Sequence, residues 1–314
     1  MSLYRSALPQ LSDQLFLTDG GLETYLIFQQ DIELPDFASF HLLATREGED
    51  VVRAYFSTYA AIARRFGTGL ILDTLTWRAS ADWGARRGLS AAELARINTR
   101  AVSLLEELRA EFALVPTVIS GCLGPRGDGY VPEAMMTVRA AEAYHQTQVD
   151  TLAGTNADLL CAMTLNYVEE AIGIAHAARR AGMPVAISFT VETNGKLPTG
   201  QSLGSAIRVV DGATSGYPAY YMVNCAHPTH FAHLLDPRES WVRRIRGIRA
   251  NASRRSHAEL DECTDLDTGD PLALGAAYAE LRQRLPHLTV LGGCCGTDQR
   301  HVEQIAAACT AVAA

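Results

Sequence analysis

Three cysteines carry the features best suited to chemistry. Cys225 lies in VNCAHP, and the adjacent pair Cys294 and Cys295 lies in LGGCCGTD. Three converging thiolates suit zinc, which takes sulfur ligands at about 2.3 Å in tetrahedral geometry. The fourth position is then free for a substrate. Adjacent cysteines on a regular strand point to opposite faces. Gly292, Gly293 and Gly296 around the pair permit a turn tight enough for both side chains to address one ion. Two other readings stay open: three small buried hydrophobes, the usual fate of free cysteine, and an adjacent pair that cycles as a redox disulfide. His227, His230 and His233 in HPTHFAH offer a rival or mixed ligand set. Against it, Pro228 suits the first turn of a helix that carries His230 and His233 away from the strand end. Cys161 and Cys309 read as core and Cys263 as an exposed loop residue, while Cys122 lies near the site with no evident partner.

Zinc held by three thiolates is a weak Lewis acid, poorly suited to making hydroxide. A substrate thiol bound in the open position is instead held as thiolate at neutral pH, the nucleophilic form. The ligand set therefore favours alkyl transfer to sulfur over hydrolysis, where histidine and carboxylate ligands dominate.

The elements that must position these residues follow a βα pattern. Short apolar, β-branched runs alternate with longer segments of helical periodicity, the sign of a parallel sheet. The expected strands are 15–18, 70–73, 116–120, 158–162, 184–189, 219–223, 247–250 and 288–291. The expected helices include 52–66, 91–114, 138–154, 168–181, 271–285 and 300–312. Eight such units predict an α/β fold of the (β/α)8 TIM-barrel type. The competing doubly wound sheet would carry G-x-G-x-x-G after its first strand, where this chain has DGGLET. No linker or composition shift divides residues 1–314, which read as one domain. The stretches 193–202 and 252–270 read as extended βα loops. Chemistry in such barrels sits at the carboxyl ends of the strands, where Asp19, Thr74, Trp77, Cys122, Met163, Thr164, Glu192, Asn224, Cys225, Asn251, Cys294 and Cys295 fall.

Composition narrows the partners. The 314 residues carry a net charge of -8, with 48% hydrophobic and 20% charged residues, which excludes a disordered or fibrous chain. Arginines are scattered and Lys196 is the sole lysine, so no broad cationic face exists for nucleic acid. No apolar run reaches the roughly 18 residues that span a bilayer, and MSLYRSALPQ lacks a secretory core. The expectation is a cytoplasmic protein with reduced thiols, no membrane or nucleic-acid partner, and a homo-oligomeric state left open.

The sequence resembles the homocysteine S-methyltransferase family over nearly its whole length, through TDGGLET, DTLTWRAS, SGCLGPRGDGY, NCAHP and LGGCCGTD. The resemblance implies the barrel, zinc on Cys225, Cys294 and Cys295, and methyl transfer to homocysteine, giving methionine. The donor would be a small sulfonium or ammonium compound such as S-methylmethionine, S-adenosylmethionine or betaine, since the chain leaves no room for cobalamin or folate modules. Asp19 matches the family's acidic residue that meets the substrate amino group. At strand four the family carries Glu-Thr and this chain Met163 and Thr164. A thioether cannot replace a carboxylate as counterion, so Glu192 is expected to supply the missing charge. Trp77 is expected to wall the donor site with an aromatic face that attracts an onium cation. Asn224 and Asn251 are expected to orient ligands or substrate. Gly124 and Pro125 would shape a loop over the donor, with Arg126 and Asp128 paired to each other. Since no proton moves in the transfer itself, no dedicated general base is expected.

Overall fold

Eight short runs, almost wholly buried, pair in chain order as parallel strands, and the last closes on the first: β1 (Phe16–Leu17), β2 (Gly69–Asp73), β3 (Thr117–Leu123), β4 (Leu159–Leu165), β5 (Val185–Phe189), β6 (Tyr220–Asn224), β7 (Ile245–Ala250) and β8 (Val290–Gly293). The computed structural model describes residues 2–113, 115–132 and 134–311. The helices are α1 (Leu22–Gln29), α2 (Arg46–Phe66), α3 (Ala81–Arg86), α4 (Ala91–Glu111), α5 (Val138–Ala153), α6 (Val168–Arg180), α7 (Leu203–Thr214), α8 (Pro228–Phe231), α9 (His257–Asp261), α10 (Pro271–Arg284) and α11 (Gln299–Ala311). This is the predicted (β/α)8 barrel. No described helix is long and apolar enough to cross a membrane.

Capping residues set where the helices begin. Thr45, Thr137 and Ser202 accept from backbone N–H groups of the first turns of α2, α5 and α7. Ser90 with Glu93 and Ser256 with Glu259 form capping boxes on α4 and α9. Gly67 ends α2 with φ 65°, a left-handed turn that a side chain would resist. Helices α1, α3 and α7 and the short α9 are additions to the expected set, and α9 interrupts the expected loop 252–270. The other expected loop, 193–202, folds back through an isolated antiparallel bridge between Lys196 and Ser202. The expected ends at Leu114 and Val312 lie outside the described residues.

Two apolar layers follow from strand alternation. Inside the barrel, Phe16, Ile71, Val118, Cys122, Leu159, Cys161, Met163, Tyr220, Met222 and Val290 form one cluster. Residues of the other face, such as Leu72, Ile119, Leu160, Ile187, Val223 and Ile248, join the helices in a larger one. Cys122 and Cys161 face each other across β3 and β4 within the inner cluster. Both thiols are pushed well up by burial. Cys161 and the buried Cys309 are core as expected, and Cys263 is only half-exposed. Cys122, expected beyond strand three, lies inside it because β3 runs on to Leu123.

Tyr278 of α10 locks the two strands that lead to the cysteines. Its hydroxyl accepts from the Ala250 N–H at 2.8 Å and donates to the Gly292 carbonyl at 2.6 Å, so a side chain closes the joint between β7 and β8. Tyr278→Phe strands a buried donor and a buried acceptor. It is expected to cost about 1–3 kcal/mol, read as a lowered midpoint in urea unfolding with an unchanged slope.

Candidate active site

The three cysteines meet at the carboxyl mouth of the barrel. The sulfurs of Cys225, Cys294 and Cys295 all lie within 4.8 Å of one another. They form the one cluster of three or more potential metal-ligating Cys, His, Asp and Glu side chains found among the described residues. Cys225 follows β6, and the pair follows β8 in a turn completed by Gly296 at φ 77°. The sulfurs of Cys225 and Cys294 are in direct contact as in a disulfide, with Cα atoms 5.4 Å apart, and Cys295 is a free thiol. The donor set fits zinc: three soft sulfurs from two strand ends lie within 4.8 Å of one another.

Backbone strain aims the sulfurs. Cys225 has φ 54° and Thr164 φ 61°, left-handed conformations that cost a non-glycine residue about 1–3 kcal/mol. Thr164 lies inside β4 at a register shift, whereas the apolar pattern had put it and Met163 beyond the strand. Asn224 holds the two kinks together. Its amide nitrogen donates to Cys225 Sγ at 3.1 Å and Thr164 Oγ1 at 2.8 Å, while its oxygen accepts from the Thr164 N–H and Ser188 Oγ. Thr164 Oγ1 stands 3.9 Å from Cys225 Sγ. Asn251 Nδ2 donates to the Cys225 carbonyl at 3.1 Å, so both asparagines orient the cysteine itself.

The histidine alternative separates as Pro228 had indicated. His227 caps α8, His230 turns to the Arg254 carbonyl, and His233 is exposed. A different histidine, His257 of α9, reaches the Cys225 carbonyl through Nε2 at 2.6 Å. Its Nδ1 faces Glu192 at 3.2 Å, so Glu192 is engaged by a histidine rather than standing free for a substrate ammonium. Tyr130 packs against His257 with tilted rings whose centres are 4.3 Å apart, and brings its hydroxyl within 4.0 Å of Cys295 Sγ. Tyr130 closes the motif SGCLGPRGDGY without having been assigned a role, and His257 carried no sequence signal beyond its residue type.

Trp77 donates from its indole nitrogen to the Met163 carbonyl, and its ring lies under the Arg78 guanidinium. Gly129 passes so close to Thr164 and Trp77 that a Cβ would lie 2.9 Å from Thr164 Cγ2, which seats the loop after β3 over the mouth. Arg126 pairs with Asp82 instead of Asp128, because Asp128 is spent on the N–H groups of Tyr130 and Val131.

Asp19 is buried and already engaged. Arg249 of β7, pointing into the barrel, reaches Asp19 Oδ1, Asp73 Oδ2 and the Gly293 carbonyl, while Tyr55 donates to Asp19 Oδ2 at 3.1 Å. Burial holds the Asp19 pKa up at about 6, against the pull of Arg249. Burial and, next, the Glu23 carboxylate push the Cys295 thiol up to about 11.

Residues 16–309 match the family model described as homocysteine S-methyltransferase. The chain belongs to that family. No curated protein matches the sequence significantly. Among solved structures, the homocysteine methyltransferase MmuM from Escherichia coli superposes over 96% of this chain and 98% of its own. Its oxidized form gives a TM-score of 0.75 and its metallated form 0.74, both at 20% identity. Its apo form gives 0.68 at 19% identity. At that identity the likeness is one of fold. In this homocysteine S-methyltransferase family member, Arg249 and Asp73 join Asp19 in a buried network that spacing in the sequence did not indicate.

Arg249→Met leaves two buried carboxylates facing each other, and it is expected to destabilise the protein by about 3–5 kcal/mol. A carboxyl whose pKa folding raises gains stability relative to the unfolded chain as pH falls, so the deficit should be smaller at pH 5 than at pH 8. Chemical denaturation at both values measures it.

Proposed function

We propose that this enzyme moves a methyl group from a small sulfonium or ammonium donor to the thiol of homocysteine, with zinc on Cys225, Cys294 and Cys295. The observation that carries the reading is the convergence of three sulfurs at the mouth of a barrel whose sequence belongs to this family. Zinc bound there supplies an open position in which an acceptor thiol is held as thiolate at neutral pH. That MmuM, which shares this fold, has a metallated form agrees with metal binding by this protein.

The chain's own residues do the rest. Asn224 donates to Cys225 Sγ and stabilises its thiolate, as charge-assisted hydrogen bonds do. Thr164 and Tyr130 flank the sulfur cluster from opposite sides, at Cys225 and Cys295. Trp77, half-buried behind Gly129, offers an aromatic surface to the donor cation. In the transfer the acceptor sulfur forms a new bond to the methyl carbon as the donor's C–S or C–N bond breaks. The bonding pair leaves with the donor atom, which loses its positive charge, and the acceptor's thiol proton has already gone to solvent. Holding the two centres about 3–3.5 Å apart and in line supplies the catalytic advantage.

The reduced protein is expected to bind one zinc per chain and to transfer labelled methyl to homocysteine from at least one member of a panel of S-methylmethionine, S-adenosylmethionine and betaine. Cys225→Ser should lose metal and activity together, measured by elemental analysis and methionine formation. A Cys225→Ser protein that keeps both would overturn the ligand assignment.

A further inference from the structure

Two opposite charges at the mouth form no salt bridge among the described residues. Glu23 stands on the first turn of α1, directly after the Gly20–Gly21 turn. Gly21 lies so close to the cysteine turn that a Cβ there would meet the Cys294 carbonyl at 2.5 Å, and Gly296 N–H donates to Thr24 Oγ1 at 3.1 Å. The turn that carries Glu23 is thereby fastened to the turn that carries Cys294 and Cys295. Glu23 is half-buried and makes one side-chain hydrogen bond, accepting from Ser39 Oγ at 2.8 Å, with no cation in salt-bridge reach. Burial raises its pKa, which marks a carboxylate short of compensation.

Arg78 is the complementary case. It is 6% exposed and sandwiched between Trp77 and Trp83, with its guanidinium carbon 3.9 Å and 3.7 Å from the ring centres. Nη1 donates to the Gly127 carbonyl, and the buried Nε has no partner. No carboxylate forms a salt bridge with it among the described residues. Burial lowers its pKa to about 10, which leaves it a cation at neutral pH. The segments bearing the two groups touch: Ala38 and Phe40, which flank Ser39, pack against Ala79. The loop that Arg78 bonds also carries Tyr130 to Cys295.

An amino acid presents an ammonium and a carboxylate on one carbon. The acidic residue expected to meet the ammonium, Asp19, has both oxygens engaged by Arg249 and Tyr55, and Glu192 faces His257. Met163 contributes no charge. We propose that Glu23 receives the α-ammonium of the acceptor and Arg78 its α-carboxylate, which makes the pair the determinant of selectivity for an amino-acid thiol. The assignment rests on the methyl-transfer reading above and names residues for its acceptor end. Lone carboxylates and guanidinium groups in a desolvated site discriminate strongly, because an analogue that lacks the partner charge leaves them unpaired.

The test uses three thiols with the zinc-loaded enzyme and one donor: homocysteine, 4-mercaptobutanoate without the amino group, and 3-aminopropanethiol without the carboxylate. Glu23→Gln is expected to raise KM for homocysteine and for 3-aminopropanethiol about 30-fold while leaving 4-mercaptobutanoate within about twofold. Arg78→Gln should show the reverse pattern, raising KM for homocysteine and 4-mercaptobutanoate only, and Arg78→Lys should restore part of the loss. A uniform loss over all three thiols, or no change in selectivity, would overturn the assignment while leaving methyl transfer standing. Wild-type enzyme that methylates none of the three would instead remove the parent reading, and this one with it.

Discussion

The mouth of this barrel is organised around one buried guanidinium. Arg249 reaches from β7 to the end of β1 through Asp19, to the end of β2 through Asp73, and to the last residue of β8 through the Gly293 carbonyl. A cation so deep in the protein is tolerable only because its donors are shared out among charged and backbone acceptors. The strand ends that bear the cysteines are therefore fixed by charge pairing as well as by the sheet ladder. The same pairing gives each Asp19 oxygen a partner within the protein.

Around this network the site stores strain where the sulfurs need direction. The ends of β4 and β6, at Thr164 and Cys225, adopt left-handed backbone, and a single asparagine side chain satisfies both. Asn224 would be ordinary turn chemistry by residue type alone. Its position between a kinked β4 and a kinked β6 turns it into the brace for a metal-type ligand. The three sulfurs lie within 4.8 Å of one another. The E. coli relative has been solved in oxidized, metallated and apo forms.

Much of the architecture was legible because its signals are local. Alternating apolar runs and capped helical segments announce parallel βα units, and each strand was found within a few residues of its expected position. Errors gathered at the strand ends, where β3 and β4 extend past the apolar runs to take in Cys122 and Met163–Thr164. There, hydrogen bonding to neighbouring strands continues through residues whose type does not demand it. Helix α7 was not among the expected helices despite Ser202, a cap residue that the structure shows in use.

By itself the sequence determined the barrel, the strand ends on which chemistry would sit, and the placement of the three cysteines just after β6 and β8, while their meeting within 4.8 Å is a tertiary fact. Tertiary structure alone decided how charges are shared at the mouth. Arg249 takes Asp19 and Asp73, His257 takes Glu192, and Asp82 takes Arg126, while Glu23 and Arg78 form no salt bridge among the described residues. The reason is physical: periodicity reports which face a side chain occupies, whereas ion pairing depends on distances between residues far apart in the chain.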